Sequence, residues 1–375
     1  MTVRVCLVTS EYPPVIGGVA SHVFELARAI AAASVEATVV HPISLMSPPL
    51  PPPEAPGVTV FRPRLVKAQP FYDLVLRLWL RGHLAKGKFD LVHVHGVRPL
   101  AATRGLSLPV VFTNHTSGFL GRLNAEPGRK RRTAALLEHV DALLAPSDEL
   151  VAAARAFGYA GPAQMIPNGV DTERFAPGPS GARAVWGFGA DETVIVLARR
   201  LVKKNGVLGF ARAVARMRAR NFRVVVAGDG PDREQMVEIL GEAGMLDRVK
   251  FLGAVPNSSM PEIYRACDVA VLPSLAEATS ITGLEAMACG LPLVGTNVGG
   301  IPAIVADGVS GLLVPPADPE ALAGALGRLI DSPGLRRTMG EAGRRSAEET
   351  FSWPIIARRT AEAYEACLSR RSGRG

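Results

Sequence analysis

Cysteine is scarce in this sequence, and its spacing excludes two common ways of stapling a fold. The four cysteines among 375 residues form no CxxC pair and no zinc-ligand spacing: Cys6, Cys267, Cys289 and Cys367. They fall in apolar segments typical of buried strands or helices. We therefore expect reduced thiols and no zinc site, in a chain long enough for two domains with their own cores.

Long apolar runs are also missing. No stretch reaches about 18 uninterrupted apolar residues, the length that a spanning helix needs. The first residues, MTVRVCLVTSEYPP, contain an apolar run too short for a signal peptide. The sequence therefore predicts a cytoplasmic protein, either soluble or peripheral on the inner face of a membrane.

Acidic residues are outnumbered, mainly in the first half of the chain. The formal net charge is +8, and residues 1–170 carry +6 of it, with 17 Lys and Arg against 11 Asp and Glu. Aromatic residues make up only 6%, and there is no aromatic-basic RNA motif or zinc finger. We therefore expect no nucleic acid partner; an anionic substrate or membrane surface fits the charge better.

What the sequence has in abundance is short Val/Ile/Leu runs that alternate with helical patterns. VRVCLVTS, LVHVHG, VVFTNHT and ALLAPS lie before residue 172, and VIVLAR, VVVAGDG, VAVLPS and PLVGT lie after it. Continuous apolar strands separated by helices predict parallel sheets covered on both faces. The fold class is α/β, with two Rossmann-like doubly wound domains, and the cleft between them is the default site.

The segment EATSITGLEAMACG contains two glutamates eight residues apart, after the strand VAVLPS. Thr282 and Glu285 have capping-box spacing, which predicts a helix that ends near Ala288 or Cys289 before Gly290. Free backbone amides at such a helix start attract phosphate. The predicted diphosphate contacts are Thr279, Ser280, Ile281 and Thr282.

A carboxylate beside a diphosphate is repelled unless it has another partner. Glu285, one turn inside the helix, could accept two hydrogen bonds from a ribose diol, and Glu277 could reach a sugar hydroxyl. The alternative is a cap with a solvated surface glutamate. Other segments favour the nucleotide-sugar interpretation.

Three of these segments follow predicted strands. ARRLVKKNG places Arg199, Arg200, Lys203 and Lys204 where cations could clamp a diphosphate, although a solvated basic turn is the alternative. AGDGP places Gly228, Asp229 and Gly230 where small residues let a base approach, although ordinary turns also look like this. EYPPVIGGVASHV places Gly17 and Gly18 before a helix, and it is not GxGxxG, which argues against a dinucleotide dehydrogenase.

Histidines end two strands of the first half. His115 in VVFTNHTSG is the strongest functional candidate, followed by His95, and then by His22 and His93. His93 and His95 alternate along LVHVHG, so they share one face of the strand.

Taken in order, EYPPVIGGVASHV, MIPNGVDTERF, ARRLVKKNG, AGDGP and the glutamate pair followed by AMACGLPLVGTNVGG resemble the family 4 retaining glycosyltransferases of the GT-B fold. The resemblance covers nearly the whole chain. It implies an acceptor-side domain over residues 1–172 with a crossing helix at 353–370, and a donor-binding domain over 173–352.

The resemblance also implies the reaction. A sugar moves from a nucleotide diphosphate donor, a UDP- or GDP-sugar, to a hydroxyl acceptor with retained configuration, without metal or cofactor. Arg200 and Lys204 would stabilise the diphosphate, Glu277 and His115 would hold the sugar, and Glu285 would bind ribose. The family commonly has Gly-Arg-Leu and a later Lys-Gly, whereas Arg199 and Asn205 interrupt both here.

The acceptor, a small molecule, glycan or lipid, would dock on the first domain. There GRKRRTAALLEHV carries Arg129, Lys130, Arg131 and Arg132, which suit anionic lipid headgroups or a phosphorylated acceptor. A solvated helix start is the plainer interpretation. Two other functions stay open: a GT-B nucleotide-sugar epimerase or phosphorylase, and a non-catalytic nucleotide-sugar binding protein.

Overall fold

The chain forms two compact units in a computed structural model that describes residues 2–15, 17–48, 50, 55–66, 68, 71–115, 117–218 and 220–373. Unit 1 comprises Met1–Gly169 and Trp353–Gly375, and unit 2 comprises Val170–Ser352. Two quoted motifs, EYPPVIGGVASHV and VVFTNHTSG, each contain one residue outside the described ranges, Ile16 and Thr116. Within those ranges, no helix has both the length and the apolarity to cross a bilayer.

Unit 1 is built on a seven-stranded sheet of parallel pairs in the order β4-β2-β1-β6-β7-β8-β9. A second small sheet pairs β3 with β5. The strands are β1 Arg4–Thr9, β2 Glu36–Val40, β3 Ile43–Ser44, β4 Val58–Phe61, β5 Arg64–Leu65, β6 Leu91–His95, β7 Val110–Thr113, β8 Ala142–Ala145 and β9 Ala163–Met165.

Helices cover this sheet. They are α1 Gly18–Ala32, α2 Phe71–Lys86, α3 Val97–Leu100, α4 Pro127–Leu137 and α5 Asp148–Ala156, with 3₁₀ turns at Ala101–Thr103 and Ser117–Arg122. The final helix of the chain, which spans Trp353–Ser372, packs against α1 and shares its core through Trp353, Ile356 and Tyr364.

Unit 2 repeats the design with a six-stranded parallel sheet in the order β12-β11-β10-β13-β14-β15. Its strands are β10 Thr193–Ala198, β11 Phe222–Ala227, β12 Val249–Gly253, β13 Val269–Leu272, β14 Leu293–Thr296 and β15 Gly311–Val314. Its helices are α6 Ala182–Trp186, α7 Val207–Arg216, α8 Arg233–Glu242, α9 Met260–Arg265, α10 Ile281–Ala288, α11 Pro319–Asp331 and α12 Pro333–Thr350, so the final helix is α13. Its 3₁₀ turns are Lys203–Asn205, Leu246–Arg248 and Asn257–Ser259.

The prediction of two doubly wound parallel sheets is confirmed. The central strands are buried along their length, as the continuous Val/Ile/Leu runs require; β10, for example, is buried at all six positions. All four cysteines are buried and free.

In both sheets the strand order reverses beside the first strand, between β1 and β6 in unit 1 and between β10 and β13 in unit 2. Loops at the carboxyl ends of such neighbouring strands splay apart and form the usual ligand crevice of an open α/β sheet. Gly17 and Gly18 follow β1, the basic loop follows β10 and the two glutamates follow β13, whereas His115 follows β7 and the Gly228 turn follows β11.

Candidate functional site

At the reversal point of unit 2, Arg199 is joined to Glu277. Arg199 follows β10 and Glu277 lies in the loop after β13; their side chains form an ion pair and are only 8% and 13% exposed. The guanidinium also donates to the Oγ of Ser274 and, at 3.4 Å, to the Oδ1 of Asn205. The network fixes the Arg199 guanidinium at the carboxyl end of the sheet, with its charge balanced by Glu277.

The two loops that carry this pair are tied together through their backbones. Between the two loops, the Leu275 amide donates to the Lys204 carbonyl at 2.8 Å; within the first loop, the Asn205 side-chain amide donates to the Arg200 carbonyl at 2.7 Å. The side chains of Arg200, Lys203 and Lys204 are exposed. Of the four predicted cations, Arg199 is therefore the one that this unit brings to Glu277.

Close backbone packing holds the same loops in place. A Cβ on Gly228, which follows β11, would lie 1.8 Å from the carbonyl oxygen of Arg199. Gly299, whose φ is 54°, lies so close to the Glu277 backbone that a Cβ there would be 1.6 Å from its carbonyl oxygen. These glycines are required by the protein's own backbone, whatever ligand the loops bind.

The predicted base-side turn contains Gly228, Asp229 and Gly230. The Asp229 carboxylate accepts a hydrogen bond from the Gly230 amide at 2.8 Å, and it lies 3.8 Å from Arg233 in an exposed ion pair. The Leu201 amide donates to the Asp229 carbonyl at 2.9 Å. The turn therefore extends the pairing of β10 with β11 to the residues around Arg199.

Helix α10 begins one residue before the predicted capping box. Ser280 is the N-cap, and its Oγ accepts a hydrogen bond from the Gly283 amide at 3.1 Å, so the predicted capping box of Thr282 and Glu285 is wrong. The Glu285 carboxyl contacts Asn257 and Tyr264, so it does not accept from the Thr282 amide as a capping box requires. The prediction that the helix ends at Ala288 or Cys289 is confirmed, since Ala288 is its last residue and Cys289 its C-cap. Beside the cap, the Thr279 Oγ1 is buried and has no partner among the described residues.

Glu285 is 3% exposed, and its two carboxyl oxygens have different partners. Oε1 accepts from the Asn257 side-chain amide at 2.8 Å, and Oε2 lies 3.3 Å from the hydroxyl of Tyr264. That hydroxyl also lies 3.2 Å from the Thr282 carbonyl, which can only accept. Burial raises the pKa of Glu285 to about 7. The Tyr264 hydroxyl donates to the ionised Glu285, whereas a protonated Glu285 can donate to Tyr264 while Tyr264 donates to Thr282.

In unit 1 the glycine pair lies at the start of α1. Gly17 is the N-cap in an extended conformation without a side-chain cap, Gly18 is the first helical residue, and the first turn contains no acidic residue. The first amides of a helix have no partner within it and could face an anion. The Glu11 carboxylate lies nearby, 3.3 Å from where a Gly17 Cβ would be, so it would repel an anion placed against that side of the loop.

Four histidines of unit 1 lie together. His22 on α1, His93 and His95 on β6, and His115 after β7 are at most 9% exposed. The prediction that His93 and His95 share a face is confirmed, since their ring centroids are 4.1 Å apart. Burial, with smaller contributions from neighbouring imidazoles, lowers the pKa of His95 and His115 well below the usual value. Both rings are therefore neutral near pH 7.

Among the described residues, His22, His95 and His115 could each offer a metal ligand, with the three ligand atoms within 4.8 Å of one another. However, the His95 Nδ1 and His115 Nε2 atoms are 2.9 Å apart in rings inclined by only 14°. The ring centroids are 5.2 Å apart. This distance is about the N···N distance plus one ring radius on each side, so both nitrogens lie close to the line that joins the centroids. The two nitrogens thus face each other, as in a hydrogen bond, rather than converging on an ion.

Sequence reasoning did not identify several residues that contact the candidate side chains: Ser274, Asn205, Asn257 and Tyr264. Ser274 is the last residue of VAVLPS and Asn205 lies inside ARRLVKKNG, so both were within selected motifs without being assigned a contact. Asn257 and Tyr264 are separated from Glu285 by 28 and 21 residues, and nothing in the local pattern connects them.

Comparison with known proteins agrees with this arrangement. The family models described as "Glycosyltransferase Family 4" and "Glycosyl transferases group 1" match residues 16–174 and 181–346. A D-inositol 3-phosphate glycosyltransferase of Frankia alni is 32% identical over 94% of this chain and 95% of its own length.

Solved structures show the same fold at lower identity. A sucrose-phosphate synthase from Thermosynechococcus elongatus has a TM-score of 0.85 at 24% identity, and it aligns over 98% of this chain and all of its own. HepE from Anabaena, in complex with UDP-glucose, has a TM-score of 0.76 at 21% identity over 97% of this chain and 99% of its own. With family models on both of its units and a 32% identical relative aligned over 94% of its length, the chain belongs to the family 4 glycosyltransferases and has the GT-B fold.

Proposed function

We propose that this glycosyltransferase moves a sugar from a UDP- or GDP-sugar to a hydroxyl acceptor, with retention of the anomeric configuration and without a metal ion. The buried pair of Arg199 and Glu277 is the observation that carries the proposal. It places a cation and a carboxylate side by side at the reversal point of unit 2, where a diphosphate and the sugar attached to it carry complementary groups.

In the proposed reaction, the bond between the anomeric carbon and the diphosphate oxygen breaks as a bond to the acceptor oxygen forms on the same face. The nucleoside diphosphate leaves with the electron pair, and its phosphate oxygen takes the acceptor's proton. A guanidinium has five N–H donors, more than the three contacts described for Arg199, so Arg199 can stabilise the leaving group. Glu277 orients Arg199 and accepts a hydrogen bond from a sugar hydroxyl.

Independence from metal is part of the proposal. Arg199, with Arg200, Lys203 and Lys204 on the same strand-end loop, supplies the kind of positive charge that a divalent cation would otherwise provide to a leaving diphosphate. We expect transfer to continue undiminished in excess EDTA. A loss of activity that added Mg²⁺ or Mn²⁺ restores would contradict this part of the proposal.

Glu285 is the proposed ribose contact, and this role needs its ionised form to accept from both hydroxyls of the diol. The test is a thermal-shift panel of UDP, GDP, ADP and TDP with their common sugar conjugates, on wild type and Glu285→Gln. A ligand at about 100 times its dissociation constant adds roughly 2.7 kcal/mol of stability. We expect one base to produce a shift that the variant loses.

Glu277→Gln is the matched variant in the same panel. It keeps the size of the side chain but weakens the charge pair with Arg199, so we expect turnover to fall while the nucleotide shift largely remains. If nucleotides shifted Glu285→Gln as much as wild type, the ribose assignment would be wrong. If Glu277→Gln transferred sugar at the wild-type rate, its role in transfer would be wrong.

We further propose that unit 1 docks on anionic membranes. Arg129, Lys130, Arg131 and Arg132 are exposed in the first turns of α4, where the N-cap residue Glu126 sets one carboxylate against four positive charges. Helix α2 buries one apolar face through Leu76 and Leu80 but exposes another, on which Phe71, Leu74 and Leu78 are 62%, 52% and 58% exposed. Exposed apolar and basic groups together fit an anionic lipid surface.

Vesicle sedimentation at low salt tests the docking proposal. We expect more protein on vesicles with anionic lipid than on neutral ones, and a loss of this preference in Arg131→Glu/Arg132→Glu. Leu74→Gln/Leu78→Gln should weaken binding to anionic vesicles and should not create a preference for neutral vesicles. Equal partitioning to both kinds of vesicle would remove the proposal.

A further inference from the structure

The contact between His95 and His115 also determines the tautomers of the two imidazole rings. His95 is the last residue of β6 and pairs in register with Thr113 of β7, so His115, two residues further on, lies beside it. The facing atoms are the His95 Nδ1 and the His115 Nε2, 2.9 Å apart. With both rings neutral, one proton lies between these two nitrogens, and it belongs to one ring or the other.

The surroundings of the other ring nitrogen of His95, Nε2, indicate which ring carries that proton. This Nε2 is buried and has no hydrogen-bond partner among the described residues. If the His95 proton were on Nε2, a buried N–H would lack an acceptor. If it is on Nδ1, only a lone pair is left unmatched, and buried N–H groups without a partner are the rarer case in proteins. His95 therefore donates through Nδ1.

The proton of His115 follows from this. A neutral imidazole carries one proton, and the Nε2 of His115 must be bare to accept from His95, so the proton of His115 lies on Nδ1. We propose that His95 is a positioning residue that fixes His115 as the Nδ1–H tautomer, so that His115 offers a hydrogen-bond donor, and not a base, to a hydroxyl oxygen of the substrate. The catalytic consequence rests on the proposed function; the tautomer does not.

His93 is the matched control because it is equally buried but fully bonded elsewhere. Its Nδ1 lies 2.7 Å from the Tyr364 hydroxyl and its Nε2 lies 2.6 Å from the Thr113 hydroxyl. Neither bond involves His115. Replacing His93 should therefore lower stability without changing the tautomer of His115.

The test is two-bond ¹H–¹⁵N correlation NMR of the ¹⁵N-histidine-labelled protein, in which seven histidines give a resolvable spectrum and His115→Gln assigns the signal. We expect His115 as the Nδ1–H tautomer in wild type and in His93→Gln, and a shift toward Nε2–H in His95→Leu. His95→Gln, whose amide can still donate to Nε2, should restore the wild-type pattern. An Nε2–H form in wild type, or an unchanged tautomer in His95→Leu, would overturn the inference.

Kinetics then separate this inference from the proposed function. We expect kcat to fall roughly tenfold in His95→Leu, as for loss of about 1.4 kcal/mol of transition-state stabilisation, with little change in the donor KM and recovery in His95→Gln. A wild-type kcat in His95→Leu despite an altered tautomer would overturn the positioning role. If wild type transferred no sugar while the NMR result held, the proposed function would be wrong and the tautomer assignment would stand.

Discussion

At the scale of single residues, ionisation of the buried Glu285, which its proposed contact with ribose requires, lowers the stability of the fold. Burial raises its pKa from 4.5 to about 7, although the hydrogen bonds that it accepts from Asn257 and Tyr264 favour the ionised form. Between these two values the native state binds more protons than the unfolded state. The contribution of Glu285 to stability is therefore complete below pH 4.5 and is lost as the pH rises through 7.

Glu285→Gln should remove this pH dependence, because its side chain can keep the same hydrogen bonds without a charge. We expect the variant and wild type to be equally stable near pH 4.5, and the variant to be more stable by about 3 kcal/mol at pH 8, since each pKa unit corresponds to about 1.4 kcal/mol. Urea unfolding between pH 4.5 and 8 measures the difference. Parallel curves for the two proteins would show that the carboxyl is not buried as described.

Arg199 and Arg200 form the sharpest residue contrast. Arg199→Ala should lower the free energy of unfolding by about 3 kcal/mol, because it leaves Glu277 largely buried without its charge partner. Arg200→Ala should change stability by no more than about 0.5 kcal/mol, since its side chain is exposed. Denaturant unfolding of both variants checks this, and similar losses in the two would contradict the assignment of Arg199 to the buried pair.

The sequence selected the two glutamates as candidates, but it did not show which arginine pairs with Glu277. The spacing of Glu277 and Glu285 around a predicted helix start was enough to select them, because both lie close to one strand-to-helix turn. Consecutive side chains at a strand end point in opposite directions, so a shift of one position exchanges Arg199 for Arg200. That register depends on the packing of Gly228 against the Arg199 backbone, which the motif alone does not contain.

At the scale of elements, the start of α10 depends on Ser280. Ser280→Ala should cost about 1 kcal/mol, because it removes the side-chain acceptor for the Gly283 amide. Thr282→Ala should have a smaller effect, since Thr282 is inside the helix and does not cap it. Thermal or urea unfolding of the two variants compares them; a larger loss in Thr282→Ala would instead support the capping box that the sequence suggested.

Two glycines of unit 2 should respond in opposite ways to alanine. Gly299→Ala forces a Cβ against the Glu277 carbonyl at a positive φ, so we expect a marked loss of stability and of transfer. Gly324, inside α11, has no atom within 4 Å of the position that a Cβ would occupy, so Gly324→Ala should stabilise the protein by about 0.5 to 1 kcal/mol. Unfolding curves with an activity assay measure both, and tolerance of Gly299→Ala would contradict the close packing.

Element type was predictable, but element ends were less so. Buried runs such as VIVLA and VVVA identify strands because few other structures accommodate them. The cap of α10 was misassigned because Ser280, Thr282 and Glu285 offer two competing caps. The capping box of Thr282 and Glu285 is excluded only by the contacts of the buried Glu285 carboxyl with Asn257 and Tyr264, which lie far away in sequence.

At the scale of the whole molecule, the repeated α/β pattern determines the architecture, and the family follows from the order of the motifs. The base, the sugar and the acceptor depend on side chains that meet only in the folded chain, so a local pattern does not specify them. The excess of basic residues in the first half is a property of the whole sequence, and it leads to the prediction of anionic membrane docking.

The most direct test of the central claim is NMR of the products formed from the donor that the thermal-shift panel selects. The reaction is run in excess EDTA with hydroxyl acceptors that include inositol 3-phosphate, the substrate for which the Frankia relative is named. We predict one nucleoside diphosphate released per sugar transferred, and an anomeric signal of the same configuration as in the donor. An inverted product would contradict the retaining mechanism, and nucleotide binding without any sugar transfer would instead identify a nucleotide-sugar binding protein.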